Sequence, residues 1–256
     1  MRNWQGENSL DINKSDSGQT AKKLLDQYSY FAKENFIDAN LCDSISSKAL
    51  KFLEGIDVST SNEHSNYKVM CRTEGHNPGS AWMDSQSKSC INVRQNTFDG
   101  VLSDTNFLDM FNPNIVFEEV EQLKNHEFFK SVSKAFGKDP AKNHCNLYYS
   151  NSITDTRTWH VDSTMAKMFV YLTDVTDDNY GPYAVVPESH NKLDKYLDRT
   201  SERQKTGKYN ECNEDGIKFL GKKGTIVGSY QHALHRGISQ FNNYKRLMFV
   251  YKIYLR

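Results

Sequence analysis

Short runs of branched and aromatic residues, each closed by a polar turn, dominate the second half of the chain. KMFVYLT at 167–173 stops at DVTDDNYGP, and YAVVP at 183–187 is followed by ESHNK. Residues 217–220 resume the pattern, GTIVGSY at 224–230 leads into QHALHRG, and RLMFVYKIYL at 246–255 is the longest such run. Strands of this length at turn-marked intervals predict an antiparallel sandwich or barrel, not a βαβ fold. Residues 193–208 are polar and charged, as in an exposed helix or insertion. Between Phe117 and Phe136, Val120, Leu123, Phe128, Val132 and Phe136 recur at helical spacing, which predicts a helix or helix pair against a sheet. Residues 1–19 are polar enough for a loose tail or a segment wrapping the sheet. The stretch 59–99 is long, polar and interrupted by EGHNPGS, which reads as a loop covering a substrate. One domain over 1–256, with its β core at 145–255, accounts for the whole pattern.

The chemistry concentrates in the β half. In WHVDS, His160 and Asp162 are separated by one residue, so on an extended strand both side chains leave the same face. The plain reading is a strand-end histidine followed by a turn-opening aspartate. His235 in LHRG supplies a second imidazole, and Arg246 follows eleven residues later. Two imidazoles and one carboxylate leave about half of an octahedral ion's positions open, the ligand set of non-haem Fe(II) oxygenases. A guanidinium fork at Arg246 suits bidentate capture of a carboxylate, although a solvent-facing arginine at a strand start would look the same in sequence. His76, His190 and His232 have no carboxylate at ligand spacing and receive no metal role. Trp159 reads as a core aromatic, and Arg236, adjacent to His235, points to the opposite face of a strand.

Composition narrows the partners. Formal charge is zero and the isoelectric point is near 7.1, so there is no basic footprint for nucleic acid and no polybasic membrane segment. Residues 1–20 lack an apolar signal core, and no run reaches transmembrane length. Five cysteines, odd in number, scattered and never in a CxxC pair, lead us to expect reduced thiols and a cytoplasmic protein.

WHVDS, KMFVYLTDV, GPYAVVPESHNK, LHRG and the arginine of KRLMF, in this order and spacing, resemble the phytanoyl-CoA dioxygenase family of Fe(II)/2-oxoglutarate oxygenases. The likeness covers roughly residues 146–255. FAKENFIDANLCDSISSKALKFLEG more loosely resembles the family's opening strand and helix, with the helix start marked by Asp38 or Asn40. The resemblance implies a double-stranded β-helix, a jelly roll with flanking helices. It places His160 and Asp162 at the end of one core strand and His235 on another, with Arg246 reached through a GISQFNNYK hairpin.

It further implies Fe(II), 2-oxoglutarate and O₂ as cofactor and cosubstrates, a small-molecule substrate, and release of succinate and CO₂. Halogenases of this kind replace the carboxylate ligand with a small residue, so Asp162 implies hydroxylation or a similar oxidation. Asn146 and Tyr148 share a strand face where such enzymes place polar contacts to 2-oxoglutarate, although a packing residue and a structural amide fit equally. Ser239 is a further candidate for the cosubstrate carboxylate, or a turn serine. Arg157, Arg72 and Arg94 are candidates for an anionic substrate, with solvated surface arginines as the plainer reading. Two other readings stand beside this one: a non-catalytic jelly-roll binding module, and a cupin-type metal dioxygenase that does not use 2-oxoglutarate. A nucleic-acid demethylase is disfavoured by the neutral charge.

Overall fold

A computed structural model describes residues 1–71, 87–94, 106–154, 156, 158–196 and 212–255. Two sheets form the body. The larger has nine strands in the order β2-β11-β8-β13-β7-β6-β5-β4-β3, and the smaller has four, β1-β10-β9-β12. Their ranges are β1 (Arg2–Asn3), β2 (Tyr30–Lys33), β3 (Asn62–Glu63), β4 (Tyr67–Cys71), β5 (Ser89–Arg94), β6 (Phe107–Phe111) and β7 (His144–Ser150). The others are β8 (Met165–Tyr171), β9 (Tyr183–Val185), β10 (Ile217–Phe219), β11 (Ile226–Tyr230), β12 (His235–Gly237) and β13 (Arg246–Tyr254). Two facing sheets are the sandwich that the run pattern predicts and the jelly roll that the resemblance implies.

Alternation along β13 shows how the major sheet is covered. Leu247, Phe249, Tyr251 and Ile253 are all buried on one face. There Phe129 stacks on Tyr251 with ring centroids 4.6 Å apart and lies 5.7 Å from Phe249. Phe129 belongs to the second of two short helices, α3 (Glu118–Lys124) and α4 (Glu127–Ala135), so the spacing over 117–136 marks a helix pair that backs the sheet. Helix α1 (Ser17–Tyr28) packs beside α4, and α2 (Ala39–Gly55) starts at Asp38, whose carboxylate accepts the Asn40 amide at 2.7 Å. The opposite face of β13 carries Arg246, Met248, Val250, Lys252 and Tyr254 and looks toward the minor sheet. Phe169 on β8 meets Tyr183 on β9 at 4.4 Å, and Tyr30 on β2 meets Phe219 on β10 at 5.3 Å, closing the space between the sheets.

Three expectations change. Residues 62–63, 67–71 and 89–94 are strands that extend the major sheet, so much of the presumed covering loop at 59–99 is framework; the rest of it lies outside the described residues. Apolar alternation there is short, and pairing with β6 stabilises it more than local propensity does. The N-terminal segment narrows from two readings to one, a segment wrapping the sheet: β1 pairs in parallel with β10, and Leu10 is buried. Residues 238–245 do not form a hairpin, because β12 lies in the minor sheet and β13 in the major one. That crossing is tied by buried Gln240, whose amide nitrogen donates to the Asn242 and Tyr244 carbonyls and whose Oε1 accepts from Ser150 Oγ at 2.8 Å. Tyr180 stacks on Tyr244 at 4.0 Å beside it. The charged segment after β9 opens with a single helical turn, α5 (Leu193–Tyr196), and its residues 197–211 lie outside the described set. Among the described residues, no helix is long and apolar enough to cross a membrane.

Gly18 tests the helix layer. A Cβ there would sit 2.5 Å from the Ser131 backbone in α4, which cannot swing aside as a side chain could. Alanine improves helix propensity by up to about 1 kcal/mol, but overpacking costs about 1–3 kcal/mol. Gly18→Ala is therefore expected to lower the urea midpoint, corresponding to about 1–2 kcal/mol; an unchanged or higher midpoint would show that the two helices do not pack this closely.

Candidate metal centre

A two-residue antiparallel bridge brings the two distant imidazoles together. His160 and His235 stand opposite each other, the His160 amide donating to the His235 carbonyl at 3.1 Å and the reverse at 3.0 Å. Directly opposed residues share a sheet face, and the two ring centroids lie 4.4 Å apart. The Asp162 amide donates to the Gln231 carbonyl at 2.7 Å, off the register of the bridge, and holds Asp162 where its carboxylate faces both rings. His160 Nε2 is 3.8 Å from Asp162 Oδ1, and His235 Nε2 is 3.6 Å from Oδ2.

The second nitrogen of each ring sets the tautomer. His160 Nδ1 lies 2.8 Å from the Thr158 carbonyl and His235 Nδ1 lies 3.0 Å from the Ala233 carbonyl. A carbonyl only accepts, so both Nδ1 atoms carry a proton, and the nitrogen that each ring turns toward the carboxylate is Nε2, the one left to offer a lone pair to a metal. Three electron-rich atoms thus converge within 4.8 Å of one another. Donors about 2.1 Å from a shared ion stand roughly 3–4 Å apart, so these separations fit neighbouring ligands of one ion. The carbonyl partners are the outer contacts that metal-binding histidines normally have. Burial is strong at His160 and His235, while the Asp162 side chain is 21% exposed, leaving an approach on its side.

Further side chains fix the centre. Lys167 on β8 donates from Nζ to Asp162 Oδ2 at 3.2 Å, linking the carboxylate to the major sheet. The Tyr183 ring lies 5.9 Å from that of His235; its hydroxyl donates to Ser229 Oγ and accepts from Gln231 Nε2, both at 3.1 Å. Burial pushes the Tyr183 phenol above the ordinary tyrosine range, so it stays a neutral donor. Trp159 is buried and donates to Asn213 Oδ1 at 3.0 Å.

Arg246 is no solvent-facing residue. It is 8% exposed at the head of β13, and Nη1 donates to the carbonyl of Gly181, where a side chain would strike the guanidinium. Gly181 also has φ +71°, a conformation glycine adopts without strain. Asn146 and Tyr148 lie on the same face of β7, paired with Val250 and Met248 of β13. The Asn146 amide donates to Asp109 Oδ1, and its own Oδ1 is buried with no hydrogen-bond partner.

Ser239 lies on the crossing segment, its hydroxyl 3.1 Å from Thr156 Oγ1. Arg94 on β5 faces Asp109 at 3.5 Å and stands over Phe107 at 4.7 Å. Arg72, Arg157 and His76 lie outside the described residues. His190 contacts Ser29 Oγ at 2.5 Å and the Asp26 carbonyl at 3.0 Å, and His232 packs on Tyr230 at 4.5 Å. All five cysteines are buried.

Lys167 and Lys252 escaped the sequence reading. The available signal was a lysine among the inward positions of an otherwise apolar run, 246, 248, 250, 252 and 254. Lys252 is 6% exposed, and burial pushes its ammonium down to about 8, opposed by the pull of Asp109.

No family model matches the chain, and no curated protein matches it in sequence. Solved structures match its fold. The non-haem α-ketoglutarate-dependent epimerase SnoN of nogalamycin biosynthesis aligns with a TM-score of 0.59 at 12% identity, over 93% of this chain and 83% of SnoN. HygX from Streptomyces hygroscopicus, solved with nickel, 2-oxoglutarate and hygromycin B, aligns with a TM-score of 0.55 at 10% identity, over 91% of this chain and 85% of HygX. A Pseudomonas putida prolyl-4-hydroxylase aligns with a TM-score of 0.53 at 10% identity, over 93% and 99%. The chain therefore has the jelly-roll fold of the 2-oxoglutarate-dependent oxygenases; the narrower phytanoyl-CoA dioxygenase likeness has no family-model match beside it.

Removing the buried charge should stabilise the protein. Lys252→Met is expected to raise stability at pH 7 by an amount on the order of 3 kcal/mol, from a displacement of 10.5 to about 8. Below pH 8 the lysine is charged whether folded or unfolded and the gain is complete. Between pH 8 and 10.5 the folded wild type loses its proton first, so wild-type stability climbs and the gain shrinks. Thermal unfolding of both proteins from pH 6 to 10 measures this; a pH-independent difference would remove Lys252 titration as its source.

Proposed function

We propose that this protein is an Fe(II)- and 2-oxoglutarate-dependent dioxygenase that oxidises, most simply hydroxylates, a C–H bond of a small molecule. The observation that carries the reading is the convergence of two Nε2 lone pairs and one carboxylate, with both Nδ1 protons committed to backbone carbonyls. Iron with 2-oxoglutarate and O₂ would supply the oxidising power, giving succinate and CO₂ as the other products.

The chain's own residues bind and orient. His160, Asp162 and His235 would hold the ion on one side and leave the rest of its coordination sphere to cosubstrates. Lys167 anchors Asp162 Oδ2 and so sets how that carboxylate is presented. Arg246 would take the distal carboxylate of 2-oxoglutarate, its orientation set by the Gly181 carbonyl. Asn146 and Tyr148 on the neighbouring strand face would offer polar contacts to the same molecule, and Ser239 is a more peripheral candidate. Arg94, held against Asp109, would act on substrate only through the face it shares; Arg72 and Arg157 remain candidates from sequence alone. No general base is needed from the protein, because the cofactor carries the difficult chemistry. The presence of nogalamycin in a SnoN complex and hygromycin B in a HygX complex supports a small organic substrate. The epimerase and carbocyclase among the fold's members show that hydroxylation is one outcome of several that this scaffold serves.

Anaerobic addition of Fe(II) and 2-oxoglutarate should produce a weak visible charge-transfer band, and His235→Ala should abolish both band and iron retention. A folded wild type that takes up no iron would overturn the reading. Arg246→Ala is expected to raise the 2-oxoglutarate concentration giving half the band by about 10- to 100-fold, the worth of a charged hydrogen-bond pair, while iron affinity holds. Equal loss of both would make Arg246 a structural residue.

A further inference from the structure

Lys167 of β8 and Lys252 of β13 stand directly opposite each other on the face that looks toward the minor sheet. Directly opposed side chains are neighbours, and like charges there repel. Lys167 is compensated by Asp162, 3.2 Å away. Lys252 has no such partner: it makes no hydrogen bond or ion pair with any described residue, and its ammonium rests 4.9 Å from the Phe111 ring centre and 6.0 Å from that of Tyr148. Ring faces soften a desolvated cation without replacing a counterion.

The nearby carboxylates are already engaged. Asp109 accepts from Asn146 Nδ2 and faces Arg94 at 3.5 Å. Asp162 is shared between Lys167 and the two imidazoles, and an ion bound there would draw its charge away from Lys167 as well. Asn92 Nδ2, opposite Asp109 on β5, is a further buried donor with no partner. Asn146 Oδ1 is an unpaired acceptor on the same face and offsets that donor, so what is in excess there among the described residues is positive charge, from Lys167, Lys252 and Arg94 against Asp109 and Asp162. A cavity of about 330 Å³ is lined by Asp162, the partner of Lys167, by Ser163 and Thr164, and by Tyr254, two residues from Lys252 on the same strand face. That volume is within the range of small-molecule sites. Arg246, six residues before Lys252 on β13, begins roughly 20 Å away along the strand.

We propose that Lys252, with Lys167 beside it, forms an anion-recognition subsite next to the metal centre, and that the substrate carries a carboxylate, phosphate or sulfate group that pairs with Lys252. Its role in substrate choice rests on the oxygenase reading above, whereas anion binding can be measured without iron.

Thermal unfolding in millimolar acetate, phosphate or sulfate, with chloride holding ionic strength constant, tests the subsite on metal-free protein and again with Fe(II) under anaerobic conditions. At ten times the half-saturating concentration, at least one anion should raise the wild-type midpoint by about 4 °C, saturably. Arg246→Met and Lys252→Arg should keep the rise, and Lys252→Met should lose it. Fe(II) should lower the half-saturating concentration by taking up the charge of Asp162. The ranking of the anions separates a carboxylate substrate from a phosphorylated or sulfated one. No rise in wild type, an equal rise in Lys252→Met, or a rise lost only in Arg246→Met would overturn the proposal. A Lys252-dependent rise in a protein indifferent to Fe(II) would uphold the subsite and sink the oxygenase reading instead.

Discussion

The proposed metal centre depends on one short β-bridge. The reciprocal amide bonds between His160 and His235 place two imidazoles, 75 positions apart in the chain, on one face with ring centroids 4.4 Å apart. Because each Nδ1 proton is spent on a backbone carbonyl two residues upstream, at Thr158 and Ala233, the rings cannot satisfy the Asp162 carboxylate through that nitrogen. The result is a cluster of lone pairs that a cation would hold together. Loss of the bridge would leave three unrelated polar residues.

Around that bridge the two sheets have different tasks. The minor sheet and its crossing segment carry the imidazoles and, through Gln240 and the Tyr180–Tyr244 stack, deliver the chain to Arg246. The major sheet supplies a rigid floor, backed by aromatic packing against α4. Its inner face is unusually polar for a buried surface, with Lys167, Lys252, Asn146, Asp109 and Asn92 all on it. Buried polar groups of this kind cost free energy unless paired, so their concentration beside a cluster of ligand atoms argues for bound partners.

Much of this was legible in the chain. The runs at 167–173, 183–187, 217–220, 224–230 and 246–255 all became strands, because alternating branched and aromatic residues suit a sheet buried on both faces. The helix pair over 117–136 followed from apolar spacing, and the start of α2 from the Asp38 cap. What misled was connection and context. The resemblance implies a hairpin at GISQFNNYK, yet the segment passes between sheets, a choice made by strand pairing far along the chain. The strands within 59–99 have little pattern of their own and exist by pairing with one another and with β6.

The sequence by itself determined the candidate ligand types and their order: HxD spacing puts two side chains on one face of any extended strand, and a planar guanidinium eleven residues past the distal histidine suits a carboxylate. It also determined where the strands of the second half would form. Tertiary structure alone decided that the two imidazoles meet, which tautomers they adopt, that Arg246 is buried against Gly181, and that two lysines 85 positions apart face each other beside Asp162. The physical reason is that periodicity is a local property of a strand, whereas register between strands is set by the packing of the whole sheet.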